Sequence, residues 1–208
     1  EFIGYDQYKT ESIIKKIICN EKIVNQIKQG DQAIIILNQT QFYGESGGQV
    51  GDQGIFLNKN FNFIVKDATK IFGNFVLHWG EVIEGECSIE DQITSSIKVE
   101  RRNLIQNNHS STHLLHAALR KILGNHVTQK GSMVNDEKLR FDFSHNDPIS
   151  IENILKIELL VNDIIDQKFS VETKILDHKT AINSGAMALF GEKYGDEVRV
   201  ISMGKINN

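Results

Sequence analysis

The chain has 208 residues, 40% of them apolar, and a formal net charge of −4. That length supports one large domain or two small ones with an ample core. The charge excludes a globally basic nucleic-acid binder, so any RNA contact must come from a local patch. No apolar run approaches the ~18 residues that a membrane-spanning helix needs. Cys19 and Cys87 form no CxxC pair, so no disulfide framework is implied and a reducing, cytoplasmic setting is expected.

In chain order, residues 1–90 read as a β-rich unit. Runs 12–18 and 33–37 are apolar, β-branched and of strand length. Runs 61–65 and 75–79 follow, with glycine and Asn/Asp punctuation between them. Helical periodicity is poor here, and short strands with such turns predict a small barrel or sandwich. Within this unit residues 39–54, QTQFYGESGGQVGDQG, are dense in glycine. No Gly-Lys-Ser/Thr follows and no GxGxxG is present, which excludes a P-loop and a dinucleotide fingerprint. Two readings remain. One is a pair of tight turns between strands. The other is a loop whose backbone approaches a ligand at Gly47 and Gly48, with Gln49 as a polar contact.

Residues 91–208 change pattern. Residues 97–104 make a short helical candidate carrying Arg101 and Arg102. Residues 107–124, NNHSSTHLLHAALRKILG, predict a second helix. Asn107, Asn108 and Ser110 are candidate N-caps, and Gly124 is a natural stop. His109 and His113 are four apart and so share a face, continued by His116 and Arg120. A pair at i, i+4 can offer two nitrogen ligands to zinc, or can be a polar face or satisfied core histidines. No glutamate stands in the HExxH position, which excludes that metalloprotease pattern. Residues 139–145 alternate as a half-buried strand. Ser150 caps a predicted helix over 151–166, with Ile154, Ile157, Val161 and Ile164 as its stripe. Strands are expected at 169–176 and 198–203, with a turn or short helix over 185–195. Two long helices on a small sheet make an α+β layer.

The string NHSSTHLLHAALRKILGNHVTQKGS…LRFDFSH resembles the editing domain of alanyl-tRNA synthetase. So do LNQTQFYGESGGQVGDQG and ALFGEKYGDEVRVISMG, and the opening Phe2–Ile3–Gly4–Tyr5 is similar to the start of that region. Free-standing alanyl editing proteins and the threonyl-tRNA synthetase editing domain share the HxxxH helix, with less of the flanking text. The resemblance implies a small barrel-like unit over 1–90 and a two-layer editing domain over 91–208. It implies hydrolysis of seryl- and glycyl-tRNA(Ala), because a pocket built for alanine rejects an added hydroxyl only about a hundredfold.

On this resemblance His109 and His113 are two of four zinc ligands, and a later Cys-x-x-x-His supplies the rest. The chain ends at Asn208 without that segment. The expectation is therefore a fragment of a longer synthetase, lacking the aminoacylation domain that uses ATP. Thr112 and Gln129 are carried over as catalytic residues. Gly47, Gly48 and Gln49 are carried over to substrate binding. Arg101, Arg102, Arg120, Lys130 and Arg140 are candidate contacts to the tRNA acceptor end, or else solvated or ion-paired charges. His116 is read as structural or supporting, and Lys193 and Tyr194 as neighbours of the terminal adenosine. The family's aspartate before the Arg-Arg pair is replaced here by Lys98. The rival expectation is a tRNA-end binding module without catalysis, since half the metal site is missing.

Overall fold

The structure is a computed structural model and describes residues 1–72, 75–186 and 195–203. Its elements include β1 (Lys9–Cys19), β2 (Lys22–Val24), β3 (Gln26–Lys28), β4 (Gln32–Leu37), β5 (Gly54–Asn58), β6 (Phe61–Ile71), β7 (Phe75–Ser88) and β8 (Gln92–Ile97). Then come α1 (Val99–Leu123), β9 (Gln129–Val134), β10 (Leu139–Phe143), α2 (Ile151–Asp166), β11 (Val171–Asp177), α3 (His178–Asn183) and β12 (Glu197–Met203). The chain divides into two compact units: Glu1–Ser110 with Ser132–Arg140, and Ser111–Gly131 with Phe141–Asn208. No described helix is long and apolar enough to cross a membrane.

In the first unit β1, β4, β7, β6, β5 and β8 pair in that order, and β8 pairs back onto β1. The result is a closed six-stranded antiparallel barrel. Closure needs strands that bend. The first half of β1 pairs with β8 and the second half with β4, with a register shift between Ile14 and Lys16. β6 carries two further shifts, at Asn62/Phe63 and Val65/Asp67. Such bulges turn a flat ladder into a curved one. Ile14, Ile17, Ile35, Phe42, Phe56, Phe63, Val65 and Ile93 fill the interior. Phe42 meets Phe56 edge-on at a centroid distance of 5.5 Å.

The barrel also buries polar groups. Ser95 Oγ donates to Gln41 Oε1 at 3.0 Å, and Ser12 Oγ to the Gln39 carbonyl at 3.0 Å. His78 is fully buried, with Nδ1 at 2.8 Å from the Ile35 carbonyl and Nε2 at 2.9 Å from Thr40 Oγ1. Burial pushes the His78 pKa down to about 4, so the ring is neutral at physiological pH, with the Ile35 carbonyl a smaller opposing influence.

β5 and β8 were absent from the sequence reading, and the sheet continues through Ile97, past the boundary expected at residue 90. The separate helices expected at 97–104 and 107–124 are one helix. Ile97 ends β8, and α1 runs unbroken from Val99. Asn107, Asn108 and Ser110 therefore lie inside α1 and cap nothing; Asn108 Nδ2 instead donates to the Asn135 carbonyl at 2.9 Å. Gly124 does stop the helix, at φ +117°, where glycine carries no Cβ penalty.

In the second unit Ala118, Leu119, Val127 and Ile157 form an apolar cluster, joined by Phe141, Phe143, Leu160 and Val161. Ser150 caps α2 as expected, accepting from the Asn153 amide at 3.3 Å. Of the expected stripe, Ile157 is buried but Ile154 is half exposed. β11 and β12 pair antiparallel from Val171↔Met203 to Asp177↔Glu197, close to the strands expected there. Barrel, helices and two small two-stranded sheets together make an α+β architecture. Cys19 and Cys87 are both free thiols; Cys87 is buried, which pushes its pKa up to about 12.

Candidate functional site: the glycine-rich loop and the histidine helix

The loop between β4 and β5 is tied down at nearly every residue. Glu45 N donates to the Ala68 carbonyl at 2.8 Å. Ser46 and Gln49 exchange backbone bonds of 3.2 and 3.0 Å. Val134 N donates to the Gly48 carbonyl at 2.8 Å, and Val50 N to the Val134 carbonyl at 3.0 Å. The loop thus adds itself alongside β9 with Gln49 in the middle of the bracket. These residues form tight turns, as the first of the two readings expects, and the close backbone approaches the structure shows are to β9 and β6.

Gly48 shows why glycine is needed. Its φ is +83°, and a Cβ there would lie 2.3 Å from the Ser132 carbonyl oxygen. Gly47 has φ +59° but open space around it. Gly47→Ala should therefore cost only the left-handed backbone penalty of about 1–2 kcal/mol. Gly48→Ala adds a backbone collision and should exceed that, to about 3 kcal/mol or more. Urea midpoints of the two variants check the ranking; equal midpoints would count against a close Gly48–Ser132 approach.

Gln49 is buried, at 6% exposure. Its Oε1 lies 2.6 Å from Nδ1 of His109 on α1. The sequence assigned Gln49 to substrate binding; in this structure its side chain reaches an imidazole. Burial lowers the His109 pKa, so the ring is neutral near pH 7.

The remaining expected residues fall out as follows. α1 is continuous, so His109 and His113 lie one helical turn apart. Thr112 is buried and His113 half-buried. Gln129, half-buried, opens β9, and Lys130 beside it is exposed, as is Arg140. His116 is 2% exposed. Its Nε2 sits 3.5 Å from the Val127 carbonyl, and its ring lies 5.1 Å from that of Phe141. Among the described residues its Nδ1 has no hydrogen-bond partner. Desolvation pushes its pKa down, opposed by the Val127 carbonyl and assisted by Arg120. Lys193 and Tyr194 lie outside the described residues.

The cations expected at phosphate separate by burial. Arg102 is 4% exposed and is a structural residue of the barrel unit. Its Nε donates to both oxygens of Asp52, and its two terminal nitrogens to the Gly4 and Gln41 carbonyls and to Asp52. Of its two readings, a phosphate contact or an ion-paired charge, this geometry is that of the ion-paired charge. Arg101 pairs with Asp136 at 3.0 Å and donates to the Gly51 carbonyl at 2.8 Å. Arg120 closes the turn after α1, donating to the Asn125 and Val127 carbonyls at 3.0 Å each. At Lys98, which stands just before α1, the side chain reaches Gln53 Oε1 at 3.2 Å.

Sequence reasoning missed Asp52 as the centre of this loop. Its carboxylate holds Arg102 and accepts from Tyr43 N at 2.7 Å, and its own N–H donates to the Tyr43 carbonyl at 3.0 Å. An aspartate flanked by glycines within QVGDQG was the available signal, and it also reads as an ordinary turn residue.

Residues 1–101 match the family model for tRNA synthetases class II (A). The match spans the whole barrel, the glycine-rich loop and the start of α1.

The resemblance implies a zinc ion held by His109 and His113. Among the described residues no group of three or more His, Cys, Asp or Glu side chains is arranged to hold a metal ion. Structural and catalytic zinc sites use three or four protein ligands. The described residues alone therefore do not make up a complete zinc site.

Proposed function

We propose that the chain is the editing portion of an alanine-specific class II aminoacyl-tRNA synthetase, acting in the cytoplasm to hydrolyse seryl- and glycyl-tRNA(Ala). The reading rests on the class II match over residues 1–101 and on the editing-domain strings that continue past it. The observation that carries it is the short bond from His109 to Gln49. Those two residues come from strings sixty positions apart, and the resemblance assigns both to one activity.

In this reading water attacks the ester carbonyl carbon, the bond to the terminal ribose oxygen breaks, and that oxygen takes a proton. Free amino acid and tRNA result. The His109 imidazole, which burial keeps neutral, offers a lone pair for accepting a proton, and His113 stands one helical turn further along α1. Thr112 offers a hydroxyl to orient the water. Gln129, whose amide both donates and accepts, reads the seryl hydroxyl. Lys130 and Arg140 are exposed cations and candidate contacts to phosphate.

A second reading, a tRNA-end binding module without catalysis, is favoured by the lack of a third metal ligand among the described residues. Incubating the purified chain with seryl-tRNA(Ala), with and without zinc, separates the two. Ester loss faster than in buffer supports editing. Binding without ester loss, in this chain and in a C-terminally extended one, supports the module.

If Gln129 reads the hydroxyl, Gln129→Ala should lower kcat/KM on seryl-tRNA about tenfold, one buried hydrogen bond's worth. It should leave glycyl-tRNA, which has no hydroxyl to read, nearly unchanged. Equal losses on both substrates would remove Gln129 from that role.

A further inference from the structure

The bond between the glycine-rich loop and α1 does more than join two elements, if its chemistry is followed to the far side of the ring. A neutral imidazole carries one N–H and one lone pair, and which nitrogen holds which is set by the hydrogen bond the ring makes. Gln49 Oε1 can only accept. At 2.6 Å from Nδ1, it requires the proton to sit on Nδ1. We infer that Gln49 is a positioning residue that fixes the tautomer of His109, holding the proton on Nδ1 and making Nε2 the lone-pair nitrogen. Its functional meaning rests on the editing proposal above.

The surroundings of Gln49 are built for holding one geometry. Its backbone is paired with Ser46 in both directions, and the residues on either side of it are bonded to Val134. Gly48, immediately before it, approaches β9 so closely that no side chain fits. Gln49 itself is buried, so water does not compete for the amide. A loop clamped on both flanks and carrying one buried amide against one imidazole resembles, in chemistry, the carbonyl partners that orient histidines whose other nitrogen does the work. Nε2 also lies further from the backbone than Nδ1, so this tautomer turns the ring's basic nitrogen outward from α1. The glycines of the loop then serve a purpose that neither sequence reading contained. They let the backbone come close enough to β9 to aim Gln49.

The test is the ring tautomer in the metal-free, full chain labelled with 15N, read by long-range proton–nitrogen correlation at neutral pH. The His109 signals are assigned by their loss in His109→Ala. In the wild type the proton is expected on Nδ1. In Gln49→Ala, and in the near-isosteric Gln49→Met, the ring should shift toward the Nε2–H form, with amide spectra and Trp79 fluorescence reporting an intact barrel. Gln49→Glu, which keeps an acceptor, should restore the Nδ1–H form. A wild-type ring protonated on Nε2, or a tautomer indifferent to Gln49→Met, would overturn the inference. Seryl-tRNA hydrolysis by the same samples separates the two ideas. Nδ1–H without hydrolysis sinks the editing reading and keeps the tautomer assignment; hydrolysis with Nε2–H does the reverse.

Discussion

Asp52→Ala should cost the barrel unit about 3–5 kcal/mol, the range for removing one partner from a buried ion pair. Asp52 is 2% exposed and Arg102 4%. With the carboxylate gone, the guanidinium keeps its bonds to the Gly4 and Gln41 carbonyls but loses its counter-charge in a site water does not reach. The Tyr43 amide loses its acceptor in the same step. Replacing both partners with apolar residues, as Asp52→Leu with Arg102→Met, rescues many buried pairs because it removes both desolvation penalties. Here the rescue should be partial. The Gly4 and Gln41 carbonyls and the Tyr43 N–H would remain buried with no partner, at about 1–3 kcal/mol each. Guanidinium unfolding followed by Trp79, the chain's single tryptophan and a residue of β7, measures both variants. A loss under about 1 kcal/mol for Asp52→Ala would place the pair at the surface-bridge scale and refute its structural role.

Stability of the same unit should fall between about pH 6.5 and pH 4 because of His78. The unfolded ring titrates near 6.5 and the folded one at about 4. Between those values the unfolded state binds more protons, so unfolding becomes easier as pH falls, by up to 1.36 kcal/mol per pH unit. The contribution is complete above the unfolded value and exhausted below the folded one, a span worth on the order of 3 kcal/mol. The cause is geometric. His78 sits among Phe42 and Phe56, at ring distances of 5.2 and 5.1 Å, and an imidazolium there would have no water and no carboxylate. His78→Gln should be less stable at neutral pH, having lost ring packing, yet should lack this slope. Unfolding free energies at half-unit pH steps decide the matter. A slope that survives in His78→Gln would assign it to another group.

The barrel was only partly legible before the structure, for a reason visible at β5 and β8. Strands β1, β4, β6 and β7 carry apolar runs of strand length, and each was anticipated over part of its length. β8, QITSSI, points Ser95 into the barrel, and β5 follows directly on the glycine run. Apolar periodicity cannot register an inward serine. Ser95 is tolerated there because Gln41 and the Thr10 carbonyl satisfy it, and both are distant in sequence. The split of α1 into two helices failed in a similar way. Asn108 has a capping residue's chemistry, but its side chain is committed to Asn135, so its N-cap propensity is not expressed.

The chain alone set the features that depend on neighbours within a turn or two. These are the strand alternation, the stop at Gly124, the Ser150 cap of α2 and the four-residue spacing of His109 and His113. Tertiary structure decided which polar side chains would be spent on the protein itself. Arg102 and Arg101 looked alike in sequence, yet the first is buried against Asp52 and the second, half-buried, pairs with Asp136. Gln49 looked like a loop glutamine, and the closure of the loop onto β9 sets its side chain against His109. Partners sixty residues apart are chosen by the burial of whole elements and by the satisfaction of buried polar groups, and no local pattern carries that information.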